Sequence, residues 1–187
     1  MIAADGTWIP GHDIDCLRRL VDRKLVIADT STNQERRRAW YDHDTGSHSR
    51  PMVLAETGGL RDHARPVADK DLVCTSHWAR VIEHALRVEL YQFEVLQDDH
   101  VIEPRMCLGW RVKASGYGVQ VVQHHADFDG TLGARRWDAP IQDLESGLHR
   151  LQPRTFSVDR DATHFEVDLL EHAFGDLLPI EIRGSHW

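Results

Sequence analysis

The chain has 187 residues, 41% of them hydrophobic, which is enough for one ordinary domain with a sizeable core. Its 22 basic and 30 acidic residues give a formal net charge of -8, which argues against nucleic acid or an anionic membrane surface as the main partner. No signal peptide or membrane-spanning stretch is recognisable. Cys16, Cys74 and Cys107 have no CxxC spacing, so we expect neither a disulfide framework nor a thiolate zinc site, and we expect a reducing cytoplasm.

Two helices are predicted after a short N-terminal arm. The first begins at Asp13, and its apolar residues recur at helical spacing: Ile14, Leu17, Leu20, Val21 and Leu25. The second is indicated by a capping box in which Thr32 caps the helix and Glu35 reaches back, and it extends to about Asp44. Residues 1–50 are therefore expected to form an arm with helices, and residues 51–187 the main body.

A short apolar run, Met52 to Ala55, lies between a proline and a diglycine. Such a run is typical of a buried strand in a parallel sheet. The turn from Glu56 to Arg61 would follow that strand, and its glycines would let the backbone approach a ligand closely. An ordinary strand-to-loop turn explains the same residues.

Residues 76–95 have the wide apolar face of a long buried helix. The next nine residues, 97–105, concentrate ionisable side chains before a predicted strand: Asp98, Asp99, His100 and Glu103. Because strand ends often carry the chemistry of α/β proteins, this stretch is the first candidate for an active-site wall. Residues 106–113 and 117–123 are predicted to form a β-hairpin around Ala114, Ser115 and Gly116.

Two groups of side chains raise the question of a metal site. His77 and His84 lie seven residues apart on the predicted long helix, without an evident third ligand. The segment HHADFDG brings His124, His125, Asp127 and Asp129 close in sequence, but a polar loop explains it at least as well. We therefore predict no metal site for this chain.

The C-terminal part is predicted to contain a short helix at 143–151, a longer helix at 159–175 and a strand at 178–182. The chain stops directly after that strand. Since a parallel sheet needs both faces and its edges satisfied, we expect the remaining strands to come from outside this sequence.

Three segments together resemble a known superfamily: NQERRRAWYDHDTGSHSRPMVLAE, LQDDHVIEP with the residues after it, and FGDLLPIEIRGSHW. They are similar to the N-terminal half of the uroporphyrinogen decarboxylase superfamily, and most closely to its divergent members found beside corrinoid methyltransferases. The resemblance extends from about Thr30 to Trp187. It implies an α/β fold, the N-terminal portion of a (β/α)8 TIM-type barrel, with an inserted β-hairpin and N-terminal helices.

The resemblance also suggests roles for particular residues. Asp99, or Asp98 beside it, corresponds to the decarboxylase aspartate that steadies pyrrole N–H groups, and Asp99 and Glu103 are expected to be catalytic. The substrate-binding residues are expected to be Glu56, Arg61, Asp98, His100, Arg183, His186 and Trp187. The segment ETGGLR replaces the arginine-rich RQAGR loop of the decarboxylases, so Glu56 stands at an anion-repelling position. Arg61 in this segment, or Arg183, would then neutralise the substrate carboxylates.

Three functions follow from the resemblance. The first is corrinoid-linked methyl transfer, in which corrinoid or zinc would belong to the complete barrel, because the zinc ligands of these methyltransferases lie in its second half. The second is decarboxylation of a tetrapyrrole polyacid. The third is a non-catalytic half-barrel that acts through a partner chain. The expected partners are a small-molecule or tetrapyrrole substrate, a corrinoid protein, a second copy of this chain or a complementing C-terminal half.

Overall fold

The computed structural model describes residue 6 and residues 8–47, 50–56, 65–125 and 135–184. These ranges contain five α-helices: α1 (Gly11–Ala28), α2 (Ser31–Asp44), α3 (His77–Tyr91), α4 (Leu144–Gly147) and α5 (Arg160–Phe174). They also contain six strands: β1 (Met106–Gly109), β2 (Val112–Ala114), β3 (Val122–His125), β4 (Arg135–Asp138), β5 (Phe156–Val158) and β6 (Ile180–Arg183). The chain is thus a mixed α/β protein. None of its described helices combines the length and hydropathy that a membrane crossing needs.

The predicted helices are confirmed, with one correction at a helix start. Thr30, not Thr32, caps α2: its backbone is extended, and its hydroxyl accepts a hydrogen bond from the backbone N–H of Asn33. Thr32 lies inside the first turn. Both threonines are suitable capping residues, and the geometry of the turn between α1 and α2 decides between them.

The strand predicted at 52–55 is wrong. Residues 51–56 form no strand, and the side chains of Val53 and Leu54 are more than half exposed. The segment is extended, but its backbone pairs with the loop after α3: the N–H of Asp99 donates to the carbonyl of Val53 at 2.9 Å. An apolar run of four residues does not distinguish a buried strand from an extended segment held by a neighbouring loop.

The hairpin predicted around residues 114–116 is also wrong, because the strands pair with distant partners. β1 pairs in parallel with β6, β2 pairs antiparallel with β5, and β3 pairs antiparallel with β4. The residues between β2 and β3 have the composition of a turn, but they form a longer loop, and Gly118 adopts the left-handed conformation there with φ of 79°.

The chain divides into two compact units. The first consists of Met1–Gly109 and Ala162–Trp187, and the second of Trp110–Asp161. The second unit contains β2 to β5 and α4, and none of its described apolar side chains is buried.

The first unit contains the main core, which lies between α1, α3, α5 and one face of the β1–β6 pair. Its buried members are Cys16, Leu17, Val21, Cys74, Ala79, Leu86, Leu170, Ala173, Phe174 and Leu178. An ion pair between Lys24 and Glu89, 2.7 Å from nitrogen to oxygen, also joins α1 to α3. The helices therefore cover one side of the parallel pair.

Phe174 is the largest fully buried side chain. We expect Phe174→Ala to lower the free energy of unfolding by about 3–5 kcal/mol, because it removes a ring and leaves a cavity. Phe165, on the same helix, is 39% exposed, and we expect Phe165→Ala to cost less than about 1 kcal/mol. Urea unfolding of the two variants measures both values, and equal losses would contradict the packing described here.

Candidate functional site

The loop that follows α3 contains most of the predicted catalytic groups. A π-helical turn, Gln92–Leu96, ends α3, and Gln97 then adopts the left-handed conformation with φ of 54°. This conformation is uncommon for a residue other than glycine. It redirects the chain, so that residues 98–103 run beside α2 and the extended segment 50–56.

The carboxylate of Asp99 is occupied by internal partners. The guanidinium of Arg50 donates to both carboxylate oxygens, one of them at 2.7 Å, and the backbone N–H of Val53 donates at 2.8 Å. The hydrogen bond from Arg50 lowers the pKa of Asp99 to about 2; burial opposes this shift, and Val53 assists it. Asp99 is therefore an ionised anchor for the segment 50–56.

The rest of the loop is held in the same way. Asp98 accepts hydrogen bonds from the backbone N–H groups of Ala55, at 2.8 Å, and His100, at 3.0 Å. The carbonyl of Asp99 accepts from the indole of Trp40 at 2.8 Å, and that of His100 accepts from Arg36 at 3.3 Å. Asp98 and Asp99 thus fix the loop and the segment beside it.

Asn33 completes this anchoring from α2. It is fully buried, donates to the carbonyls of Ala28 and Ile102, and accepts from the N–H of Ile102 at 2.9 Å. The Asn33 amide therefore makes the same pair of hydrogen bonds to the backbone of Ile102 that a residue of a neighbouring strand would make. Sequence reasoning missed Asn33, because an amide among the many polar residues of α2 gives no sign that it is buried.

Glu103 and Arg183 belong to a separate group of charges on the β1–β6 pair. Arg105 lies 2.9 Å from Glu103 and 3.0 Å from Glu181, while Arg183 lies 3.5 Å from Glu103 and 3.3 Å from Glu181. The hydrogen bond from Arg105 is the main cause of the lowered pKa of Glu181. Cys107 pairs with Glu181 in the strand register and is exposed. We call the side of the pair with these residues the open face.

The remaining predicted residues are Glu56, Arg61, His186 and Trp187. Glu56 is exposed at the end of the described segment 50–56. Arg61, His186 and Trp187 lie outside the described residues. Apart from Glu56, the predicted site residues that are described belong to two groups of contacts, one around Asp99 and one on the open face.

A cleft of about 350 Å³ lies elsewhere in the first unit, and no predicted site residue lines it. Arg23, Asp71, Arg87 and Glu94 contribute its charged groups. Arg23 donates to Glu94 at 2.6 Å, and Arg87 donates to Glu83 at 2.7 Å. These ion pairs occupy both arginines, and the carboxylate of Asp71 accepts a hydrogen bond from the backbone N–H of Ala68 at 3.1 Å.

Three buried side chains that the sequence reading did not connect converge in the core. Cys16 on α1, Cys74 in the loop before α3 and Glu83 on α3 have their sulfur and oxygen atoms within 4.8 Å of one another. In the described part of the chain, this is the one such group of three candidate metal ligands. The spacing of the two cysteines gave no sign of the cluster, since they lie 58 positions apart in the sequence.

The charges of this cluster are set by its surroundings. Burial opposes ionisation of Glu83, but hydrogen bonds from the N–H groups of Val73 and Cys74 and from Arg87 outweigh it and hold its pKa below the ordinary value. Burial, followed by the neighbouring carboxylate, raises the pKa of the Cys74 thiol. Without a metal, the cluster is an ionised carboxylate beside a thiol that resists ionisation.

The structure describes the side chains of three histidines in the two metal-binding patterns considered from the sequence: His77, His84 and His124. The imidazole of His124 lies 2.6 Å from the carboxylate of Asp138, across the β3–β4 pair. The side chain of His125, as well as Asp127 and Asp129, lies outside the described residues. His77 and His84 line a shallow groove that also contains Asp69 and Arg80.

No family model, no curated protein and no solved structure matches this chain.

Asp99→Asn tests the anchoring role of this carboxylate. We expect it to lower the free energy of unfolding by about 1–3 kcal/mol, because it removes the ion pair with Arg50. Hydrogen exchange in residues 50–56 should become faster, while the core helices stay protected. Asp44→Asn, which changes an exposed carboxylate at the end of α2, should alter neither property.

Asp99→Asn also tests how the contribution of Asp99 to the free energy of unfolding depends on pH. The pKa of Asp99 is lowered in the folded state, from 3.8 to about 2. Its ionised form therefore stabilises the fold above pH 4, and this stabilisation is lost as the pH falls towards 2. The difference in unfolding free energy between the native protein and Asp99→Asn should be large at pH 6 and small near pH 2. A difference that does not change with pH would exclude this role.

Proposed function

We propose that this chain supplies the N-terminal part of a (β/α)8 barrel of the uroporphyrinogen decarboxylase type and works when a second chain completes the sheet. The parallel pairing of β1 with β6, which α5 precedes, supports this proposal. A strand, a crossover containing a helix and an adjacent parallel strand form the repeating unit of such barrels. In this chain the crossover also contains the second unit.

The open face is the observation on which the proposal rests. Met106, Leu108 and Ile180 pack against the helical core, whereas the opposite side carries the exposed Cys107 and charged side chains. In the described part of the chain, β1 and β6 pair only with each other. Parallel sheets are nearly always covered on both faces, so we propose that strands of a partner pack there.

For the completed barrel we propose corrinoid-linked methyl transfer. A decarboxylase of this superfamily needs a free aspartate to steady pyrrole N–H groups, whereas the oxygens of Asp99 already accept hydrogen bonds from Arg50 and Val53. This arrangement favours methyl transfer over decarboxylation of a tetrapyrrole polyacid. The partner chain would supply the reactive group, and the corrinoid would arrive on a corrinoid protein.

A non-catalytic role of this chain is the second candidate. It is favoured by the ion pairs of Glu103 and Arg183, which face each other at 3.5 Å on the open face. Charges paired within one chain can position a neighbouring strand without taking part in chemistry. In this case the chain would act as a structural half of an enzyme in the cytoplasm.

Self-association tests the open face. With no other chain present, we expect a second copy to cover it, so that sedimentation velocity detects a multimer. Cys107→Arg adds a charge to the open face and should shift the protein towards the monomer. Val26→Arg, at a 70% exposed position on α1, is the matched control and should leave the degree of association unchanged. A native protein that stays monomeric at all concentrations would contradict the proposal.

Ligand titration tests the chemistry separately. We expect the assembled protein to bind a methylcobamide and not a porphyrinogen, as followed by quenching of tryptophan fluorescence. Binding of the porphyrinogen alone would replace methyl transfer with decarboxylation. Binding of neither, by an assembled protein, would leave the non-catalytic role.

A further inference from the structure

We propose that Cys16, Cys74 and Glu83 bind a thiophilic divalent cation such as Zn²⁺ in the core of the first unit. The inference is independent of the proposed barrel function. It concerns three residues that lie on α1, on the loop before α3 and on α3 itself. A cation held by all three would connect these segments directly.

The positions of the ligand atoms support the site. All three residues are buried, with exposures of 6% for Cys16, 1% for Cys74 and 0% for Glu83. Their ligand atoms lie within 4.8 Å of one another. Zinc bonds of about 2.0 to 2.3 Å from a common centre need only a small inward movement from this spacing.

A metal ion would replace one hydrogen bond of the Glu83 carboxylate. A carboxylate offers about four lone-pair positions; the N–H of Val73 donates to both oxygens, that of Cys74 to Oε2 and that of Arg87 to Oε1. The thiol of Cys16 also donates to Oε1, at 4.0 Å, and this is the contact that a metal ion would replace when the thiol loses its proton. Hydrogen bonds of this kind orient metal-binding carboxylates in many proteins.

A backbone carbonyl lies beside the sulfur of Cys74. The thiol of Cys74 donates to the backbone carbonyl of Asp13 at 3.8 Å. The carboxylate of Asp13 in turn accepts from Thr75 and Ser76, which holds this part of α1 against the loop. Two sulfurs and one carboxylate oxygen would give three of the four ligands of a tetrahedral zinc site.

The charges balance when the cation is bound. Binding breaks two S–H bonds, forms two metal–sulfur bonds and releases two protons to solvent. Two thiolates, the Glu83 carboxylate, the Arg87 guanidinium and the divalent cation then sum to zero, as do the two thiols, Glu83 and Arg87 before binding. The adjacent carboxylate of Asp13 keeps its own hydrogen bonds from Thr75 and Ser76. A buried group of net zero charge avoids the cost of an uncompensated charge in the core. Thiolate ligands select Zn²⁺ and similar cations over Ca²⁺ and Mg²⁺.

Cobalt(II) titration of the full chain under reducing conditions tests the proposal. We expect one equivalent of Co²⁺ to produce thiolate-to-cobalt charge-transfer absorption in the near ultraviolet, and Zn²⁺ to abolish it. Cys16→Ala and Cys74→Ala should each reduce this absorption by half or more. Cys107→Ala, which removes the exposed third cysteine, should leave it unchanged.

Thermal unfolding supplies a second measurement. Zn²⁺ should raise the Tm of the native protein and of Cys107→Ala, but not the Tm of Cys16→Ala or Cys74→Ala. The cobalt absorption and the Zn²⁺-induced rise in Tm of the native protein test the proposal even if Cys16→Ala or Cys74→Ala folds poorly. Absence of charge-transfer absorption in the native protein, or its loss in Cys107→Ala alone, would overturn the proposal.

Discussion

The packing of α1 and α3 in the first unit depends on the hydrogen bonds and the ion pair of the buried Glu83 carboxylate. Glu83 lies on α3, receives hydrogen bonds from the backbone of Val73 and Cys74, and pairs with Arg87 one turn later. The buried carboxylate of Asp13, on α1, likewise accepts hydrogen bonds from the backbone N–H groups of Thr75 and Ser76, just before α3. Because a buried charge without partners costs several kcal/mol, these two carboxylates fix the loop 73–76 between the helices.

Carboxylates have the same structural role in the loop after α3. Asp98 and Asp99 hold the segment 50–56, whose apolar side chains Val53 and Leu54 are too exposed to hold it by burial. A cluster of acids before a strand therefore has two explanations, an active-site wall or a set of backbone anchors. The hydrogen bonds of Asp99 agree with the second explanation, a set of backbone anchors. For this reason we propose that a partner chain supplies the reactive group.

The sequence predicts the local parts of this fold better than the pairing of its strands. The helices follow from apolar periodicity and capping residues, which are properties of neighbouring residues. The partner of β1 lies more than seventy residues away, in β6. The predicted hairpin around Ser115 would close a much shorter loop and would therefore cost less conformational entropy. The Glu83 cluster had one sequence signal, a carboxylate at an apolar position of α3, but nothing in the sequence indicated which cysteines it meets.

The central claim is that the open face of the β1–β6 pair is covered by a partner. Hydrogen exchange of the backbone amides of β1 and β6, measured at low and high protein concentration, tests it most directly. The account predicts that exchange in these two strands slows on association, while exchange in α1 and α3 stays constant. Slower exchange elsewhere, with β1 and β6 unchanged, would contradict it.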